Sequence, residues 1–181
     1  KGEKVKILIV KVLSSHAFGK IVEILEKSDV RQEVDCTTYK RCGGCNMRHI
    51  KYEDTLKMKQ NAVQSLVNKT LKNKIQVKPT LGMENPLHYR NKAQYPVRKT
   101  IEGVSKIGFY AKRSHDIVEN EVCYIQDQEI DKLSKEVFKL LLLKGFEGYN
   151  EKEHIGDIRH ILIRRGYHTG EIMVVIVVNN K

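Results

Sequence analysis

Apolar residues fall along the chain in two rhythms, alternating and helical, and these predict the elements. Residues 5–12 (Val-Lys-Ile-Leu-Ile-Val-Lys-Val) are rich in β-branched side chains and predict a strand, with Ala17 to Leu25 as its partner across Ser14-Ser15-His16. Two strands alone are marginal in water, so this pair is expected to belong to a larger β-structure. A polar stretch, 28–35, follows. From about Glu53 to Leu71 the apolar positions Leu56, Val63, Leu66, Val67 and Leu71 line one helical stripe. Pro79, Gly82 and Pro86 then mark a loop. Tyr89 to Val97 and Ile107 to Ala111 read as strands joined by a turn at Glu102-Gly103. A second helix is expected from about Asp127 to Lys144, with the stripe Ile130, Leu133, Val137, Leu140 and Leu141 and a stop at Gly145. Ile158 to Arg165 and Glu171 to Val178, with glycine at both ends of the intervening turn, predict a β-hairpin. The order defines an α+β class: a β piece followed by a domain of strands, helices and a hairpin. No repeat or low-complexity segment interrupts it.

The longest apolar run, Ile172 to Val178, has seven residues, whereas a membrane-spanning helix needs roughly 20. The start, Lys1-Gly2-Glu3-Lys4-Val5-Lys6, lacks the apolar core of a signal peptide. It also lacks Met, and the final residues directly follow a strand, so the chain reads as a fragment of a longer protein. With 33 Lys+Arg against 22 Asp+Glu, the formal charge is +11. That balance favours an anionic partner, nucleic acid first, although lysine also serves as a plain solubilising residue. The charge is spread along the chain, so a folded surface is expected to meet the partner.

Three of the four cysteines crowd into Cys36-Thr-Thr-Tyr-Lys-Arg-Cys42-Gly-Gly-Cys45, and the fourth is Cys123. With no export signal, a reducing cytoplasmic location is expected, where clustered cysteines more often ligate metal than form disulfides. Cys42-x2-Cys45 lets two thiolates converge in one turn, and Gly43-Gly44 clears the space between them. Four thiolates suit a tetrahedral zinc or an iron–sulfur cluster. The three-plus-one spacing is less like the paired C-x2-C of zinc ribbons than like a cluster loop, yet zinc and a metal-free loop both stay open on spacing alone.

Alternation over Tyr89–Lys99 places Arg90, Lys92, Gln94 and Arg98 on one face, with Tyr89, Ala93, Tyr95 and Val97 on the other. A cationic sheet face backed by aromatic packing suits an RNA backbone, and a solvated face would look much the same. Lys112 and Arg113, in Lys112-Arg113-Ser114-His115, and Arg164-Arg165 add cations at strand ends. Tyr39, Phe109 and Tyr110 are capable of stacking bases, although the low aromatic content favours core positions for most of them. The histidines lack the spacing of a metal or catalytic set. Neither G-x-G-x-x-G nor a P-loop occurs, and no nucleophile–base set stands out. No catalytic residue is assigned in this chain.

These motifs resemble the RNA uracil-5-methyltransferases that carry an iron–sulfur cluster and modify large-subunit ribosomal RNA. Gly2 to Asp35, with Ala17-Phe18-Gly19-Lys20, resembles the second half of a TRAM domain, a small RNA-binding β-barrel. Cys36-x5-Cys42-Gly-Gly-Cys45 resembles the cluster loop. Tyr89-Arg90-Asn91-Lys92, Gly108-Phe109-Tyr110 and His115-Asp116-Ile117-Val118 through Cys123 resemble the central domain. Gly156-Asp157-Ile158-Arg159-His160 and Thr169-Gly170-Glu171-Ile172-Met173-Val174-Val175 resemble the hairpin before the catalytic domain. The resemblance implies a division into residues 1–34, the end of a TRAM-like barrel, and 35–181, a cluster-bearing RNA-binding domain. It also implies a 4Fe-4S cluster on Cys36, Cys42, Cys45 and Cys123, and RNA contacts at Arg90, Lys92, Gln94, Arg98, Lys112 and Arg113. The first TRAM strands are missing from the chain. Missing too is the Rossmann-like catalytic domain, with its S-adenosylmethionine site, nucleophilic Cys and base, so this portion is expected to be inactive alone. The principal alternative is a stand-alone zinc-containing RNA-binding module.

Overall fold

A computed structural model defines the fold and describes residues 2–71 and 75–179. It contains eight strands and two helices among those residues: β1 (Lys4–Val12), β2 (Ala17–Glu26), α1 (Tyr52–Thr70), β3 (Lys92–Lys99), β4 (Ser105–Ile107), β5 (Phe109–Tyr110), β6 (Ile117–Val118), α2 (Gln128–Leu143), β7 (Ile158–Arg165) and β8 (Ile172–Val178). The chain divides into two compact units, Lys1–Glu33 with Met47–Leu81, and Val34–Asn46 with Gly82–Lys181. Helix α1 falls with the N-terminal hairpin, and the cysteine loop falls with the C-terminal sheet. Among the described residues no helix is long and apolar enough to cross a membrane.

In the first unit, β1 and β2 pair antiparallel with three register shifts. Lys4 and Glu26 close the open end through a 2.9 Å ion pair. Both faces are largely exposed, with Leu8 at 57% and Val22 at 62%. The helix α1 begins without a side-chain cap, and Glu53 and Asp54 in its first turn complement the positive end of its dipole. The stripe expected for it is only partly covered: Val63 and Leu66 are exposed, and Thr55 is buried. An extended segment runs back along α1 on a glutamine ladder. Gln64 accepts from the Val77 N–H and donates to the Ile75 carbonyl, each at 2.8 Å, and Gln60 donates to the Val77 carbonyl at 2.9 Å. These side chains satisfy backbone groups that have no sheet partner there.

In the second unit, four strands form an antiparallel sheet in the order β4-β3-β7-β8. Its core is Ala93, Tyr95 and Val97 from β3 with Ile158, Ile161 and Ile163 from β7, covered by Ile130 of α2; Leu133, Val137, Phe138 and Leu141 pack around them. Odd-numbered positions of β3 point inward, as alternation requires. On β7 the inward positions change parity between Ile158 and Ile161. A register shift between Ile158 and His160 supplies the extra residue. The helix α2 starts where Asp127 accepts hydrogen bonds from the N–H groups of Glu129 and Ile130. It stops at Gly145, whose φ of 85° suits glycine. The stripe shifts by one face-edge position: Leu140 is 56% exposed, and Phe138 packs on the core instead. The edge strand β8 leaves most of its apolar run exposed. The small sheet of β5 and β6 lies beside β3.

Candidate metal centre and nucleic-acid interface

Both candidate sites lie in the second unit. The cysteine loop is a run of tight turns, in which Tyr39 N–H donates to the Cys36 carbonyl and Cys42 N–H to the Thr38 carbonyl at 2.8 Å. The backbone of Cys42 then bridges to Ala111, Gly43 N–H donates to the Tyr110 carbonyl at 2.9 Å, and Lys112 N–H donates to the Arg41 carbonyl. Glycine at 43 has a steric cause: a Cβ there would stand 2.9 Å from the Tyr110 oxygen.

Cys42 and Cys123 are both buried, and the Cys42 sulfur lies near enough to Cys123 to raise that thiol's cost of ionisation. Burial pushes the Cys123 thiol up first of all, and the carboxylate of Asp131 adds to this. The N–H groups of Ile125 and Gln126 pull the other way by donating to the sulfur. Gly44 N–H likewise donates to Cys42 Sγ at 3.3 Å, and Cys36 Sγ lies 3.4 Å from Thr38 Oγ1. None of the four cysteines is in a disulfide. Soft donors that receive amide hydrogen bonds suit a thiophilic metal or cluster, so the donor chemistry fits such a group. Among the described residues, however, no group of three or more His, Cys, Asp or Glu side chains is placed to hold a metal ion. The structure places Cys42 near Cys123, and among the described residues it does not gather the other two thiols with them.

Asp131 has no signature in the sequence, being one polar residue of an amphipathic helix. It is buried, and its carboxylate accepts from Cys123 N–H at 3.3 Å, from Tyr95 Oη at 3.4 Å and from Lys135 at 3.0 Å. It thus ties the Cys123 segment to α2 and β3.

The basic residues separate into exposed and buried sets. Lys92 and Gln94 project from β3 into solvent, and Lys92 stands directly opposite Arg164 of β7, also exposed. Like charges facing each other across a strand pair repel, so this position favours an anion. Arg90 is half-buried and precedes the strand; its backbone bridges to Gln126. Tyr89, expected on the inner face, is 51% exposed because pairing begins only at Lys92. Arg98 also departs from the expected cationic face. Its side chain is only 10% exposed, because residues 148–150 fold back beside β3. Its guanidinium donates to Tyr110 Oη at 2.6 Å, lies 5.6 Å from the Tyr110 and Tyr149 ring centres, and approaches Glu151 at 3.8 Å. Arg159 covers the Tyr149 ring at 4.5 Å. Lys112 and Arg113 occupy an exposed turn, Lys112 with its ammonium 4.8 Å from the Tyr39 ring centre and Arg113 with a left-handed φ of 62°.

No protein-family model matches the chain. Relatives match it from end to end, each bearing the name uncharacterised RNA methyltransferase. The one from Clostridium acetobutylicum is 43% identical over 184 residues, covering 100% of this chain and 40% of the relative. That from Halalkalibacterium halodurans is 41% identical over 177 residues, covering 97% of this chain and 38% of the relative. A relative from Staphylococcus epidermidis is 39% identical over 98% of this chain and 39% of its own length. Among solved structures, the tRNA (uracil-54, C5)-methyltransferase of Pyrococcus abyssi, in complex with S-adenosyl-L-homocysteine, shares the fold. The TM-score is 0.65 at 21% identity, over 95% of this chain and 38% of that one. The chain is a homologue of proteins named RNA methyltransferases, and it spans about 40% of their length.

Proposed function

We propose that this chain is the RNA-holding, non-catalytic portion of an RNA (uracil-5-)-methyltransferase that acts on large-subunit ribosomal RNA in the cytoplasm. The observation that carries this reading is the end-to-end similarity to proteins named RNA methyltransferases. The fold shared with a tRNA uracil methyltransferase supports uracil as the target base. S-adenosylmethionine would supply the methyl group in polypeptide outside this chain. Residues 1–34 would be the end of a TRAM-like barrel, and residues 35–181 the cluster-bearing domain.

Within this chain, Cys36, Cys42, Cys45 and Cys123 would hold a 4Fe-4S cluster, which would cross-link the loop to the segment before α2. The nearness of the buried Cys42 and Cys123 and the N–H groups that donate to their sulfurs support that ligand set. Arg90, Lys92, Gln94, Lys112 and Arg113 would contact RNA phosphates. Arg98 would act behind them by packing Tyr110 and Tyr149. A target base inside folded RNA must be exposed before it reacts, so binding surfaces outside the catalytic site matter to the reaction.

Two measurements test the reading. Protein purified without oxygen should contain about four irons and four acid-labile sulfides per chain; one zinc with no iron would replace the cluster by a structural zinc site. Competition binding should favour a large-subunit ribosomal RNA fragment over tRNA. Preference for tRNA would move the substrate to the class named for the Pyrococcus enzyme, and no RNA affinity would overturn the RNA role.

A further inference from the structure

We infer that the groove between the glycine end of the cysteine loop and the Phe109–Arg113 segment seats one unstacked nucleotide of single-stranded RNA. Its phosphate would lie on Lys112 and Arg113 and its base edge on the Asn46 amide. The inference rests on the RNA-binding reading above and requires no cluster.

The groove has a volume of about 590 Å³, within the range of roughly 300–1,000 Å³ typical of small-ligand sites. One wall is the backbone of Gly43 and Gly44 with Asn46, and the facing wall carries Phe109, Lys112 and Arg113. A Cβ on Gly44 would lie 3.4 Å from Cys42 Sγ and 3.9 Å from Phe109 Cγ. Glycine there keeps the wall flat and the backbone open, which suits a planar ring. Phe109 is held in place by Tyr95, with ring centres 5.0 Å apart. Asn46 is exposed, and its carbonyl is anchored by Tyr39 Oη at 2.9 Å. Its side-chain amide offers a donor and an acceptor side by side, the arrangement that reads a base edge.

The phosphate end is equally built. Lys112 is oriented by the loop: its N–H donates to the Arg41 carbonyl at 3.0 Å and its ammonium to the Tyr39 carbonyl at 3.2 Å. Arg113 holds a left-handed backbone that favours glycine or asparagine, and it makes no ion pair among the described residues. A cation kept at a strained position without a carboxylate partner points to an anionic ligand. Bases stacked inside a duplex cannot enter such a groove, whereas unstacked bases can.

Fluorescence anisotropy with a short single-stranded RNA and its duplex tests this on the full chain. Arg113→Asn keeps the left-handed turn and removes the charge; Lys112→Gln removes the neighbouring one. Each should reduce the salt slope for single strands by about 0.7. Gly44→Leu fills the groove and should weaken single-strand binding about tenfold, with duplex binding little changed. Asn46→Ala should leave the slope intact and reduce discrimination among bases at least about fivefold. Wild-type behaviour of both Arg113→Asn and Asn46→Ala would overturn the groove, and these surface variants decide the matter should Gly44→Leu misfold. If Lys92→Glu with Arg164→Glu still weakens binding in that case, the broader RNA reading stands; an unmodified chain that binds no RNA sinks both.

Discussion

Asp131 is a single carboxylate holding three groups from three parts of the chain. Its replacement by Ala would leave the buried Cys123 N–H and Tyr95 hydroxyl without their acceptor. The expected cost is about 2–4 kcal/mol, read as a lower urea midpoint. Asp131→Asn retains an acceptor oxygen and should lose less. If Asp131→Ala unfolds at the wild-type midpoint, the carboxylate is not the tie described. His160 gives a pH-dependent counterpart. Burial, then the charges of Arg98 and Arg159, hold its imidazole below the ordinary value of 6.5. As pH falls through that value, the unfolded chain takes up the proton before the folded one, so stability drops. Melting temperature should therefore decline between pH 7.5 and pH 5.5, and His160→Gln should flatten the decline. An unchanged decline in that variant would assign it to other groups. Both residues look ordinary in the sequence, and so does Arg98. Alternation along β3 sets which way each side chain points, but not what covers it. The return of residues 148–150 beside β3 has no local signal, so a residue on the expected cationic face is buried between two tyrosines.

At the scale of elements the sequence is more informative. Helix α2 announces both ends, through the Asp127 cap and the left-handed Gly145. The β7–β8 hairpin is marked by its two glycines. Less visible is the break at Gly108, which divides an expected continuous strand into β4 and β5. A Cβ at Gly108 would stand 2.1 Å from the Val118 carbonyl oxygen, so this glycine lets β6 approach the crossing point. Gly108→Ala should destabilise the chain by more than about 2 kcal/mol, with near-ultraviolet circular dichroism reporting lost packing around Tyr95 and Phe109. A fully native spectrum and melting temperature would show that β6 can move aside. The stripe of α1 was legible as a helix, yet periodicity does not say that Val63 and Leu66 stay exposed. Polar glutamines, rather than apolar positions, hold the extended segment to this helix.

For the molecule as a whole, a charge of +11 predicts attraction to anions without saying where. The exposed Lys92–Arg164 pair sets two of those cations side by side on the sheet. Reversing both to Glu should flatten the salt dependence of RNA binding by more than one unit of slope, and an unchanged slope would remove this face from the interface. The two compact units are interleaved in sequence, which composition and local pattern do not disclose, because the assignment of residues 34–46 depends on backbone pairing with residues 110–112. That interleaving also sets a timetable. Cys36, Cys42 and Cys45 leave the ribosome well before Cys123, which is made about eighty residues after Cys42. At roughly 5–20 residues per second, the first three thiols precede Cys123 by on the order of 4–16 s. During that interval they are exposed to oxidants and stray metals, so the nascent chain should be most vulnerable to thiol damage before α2 has been synthesised.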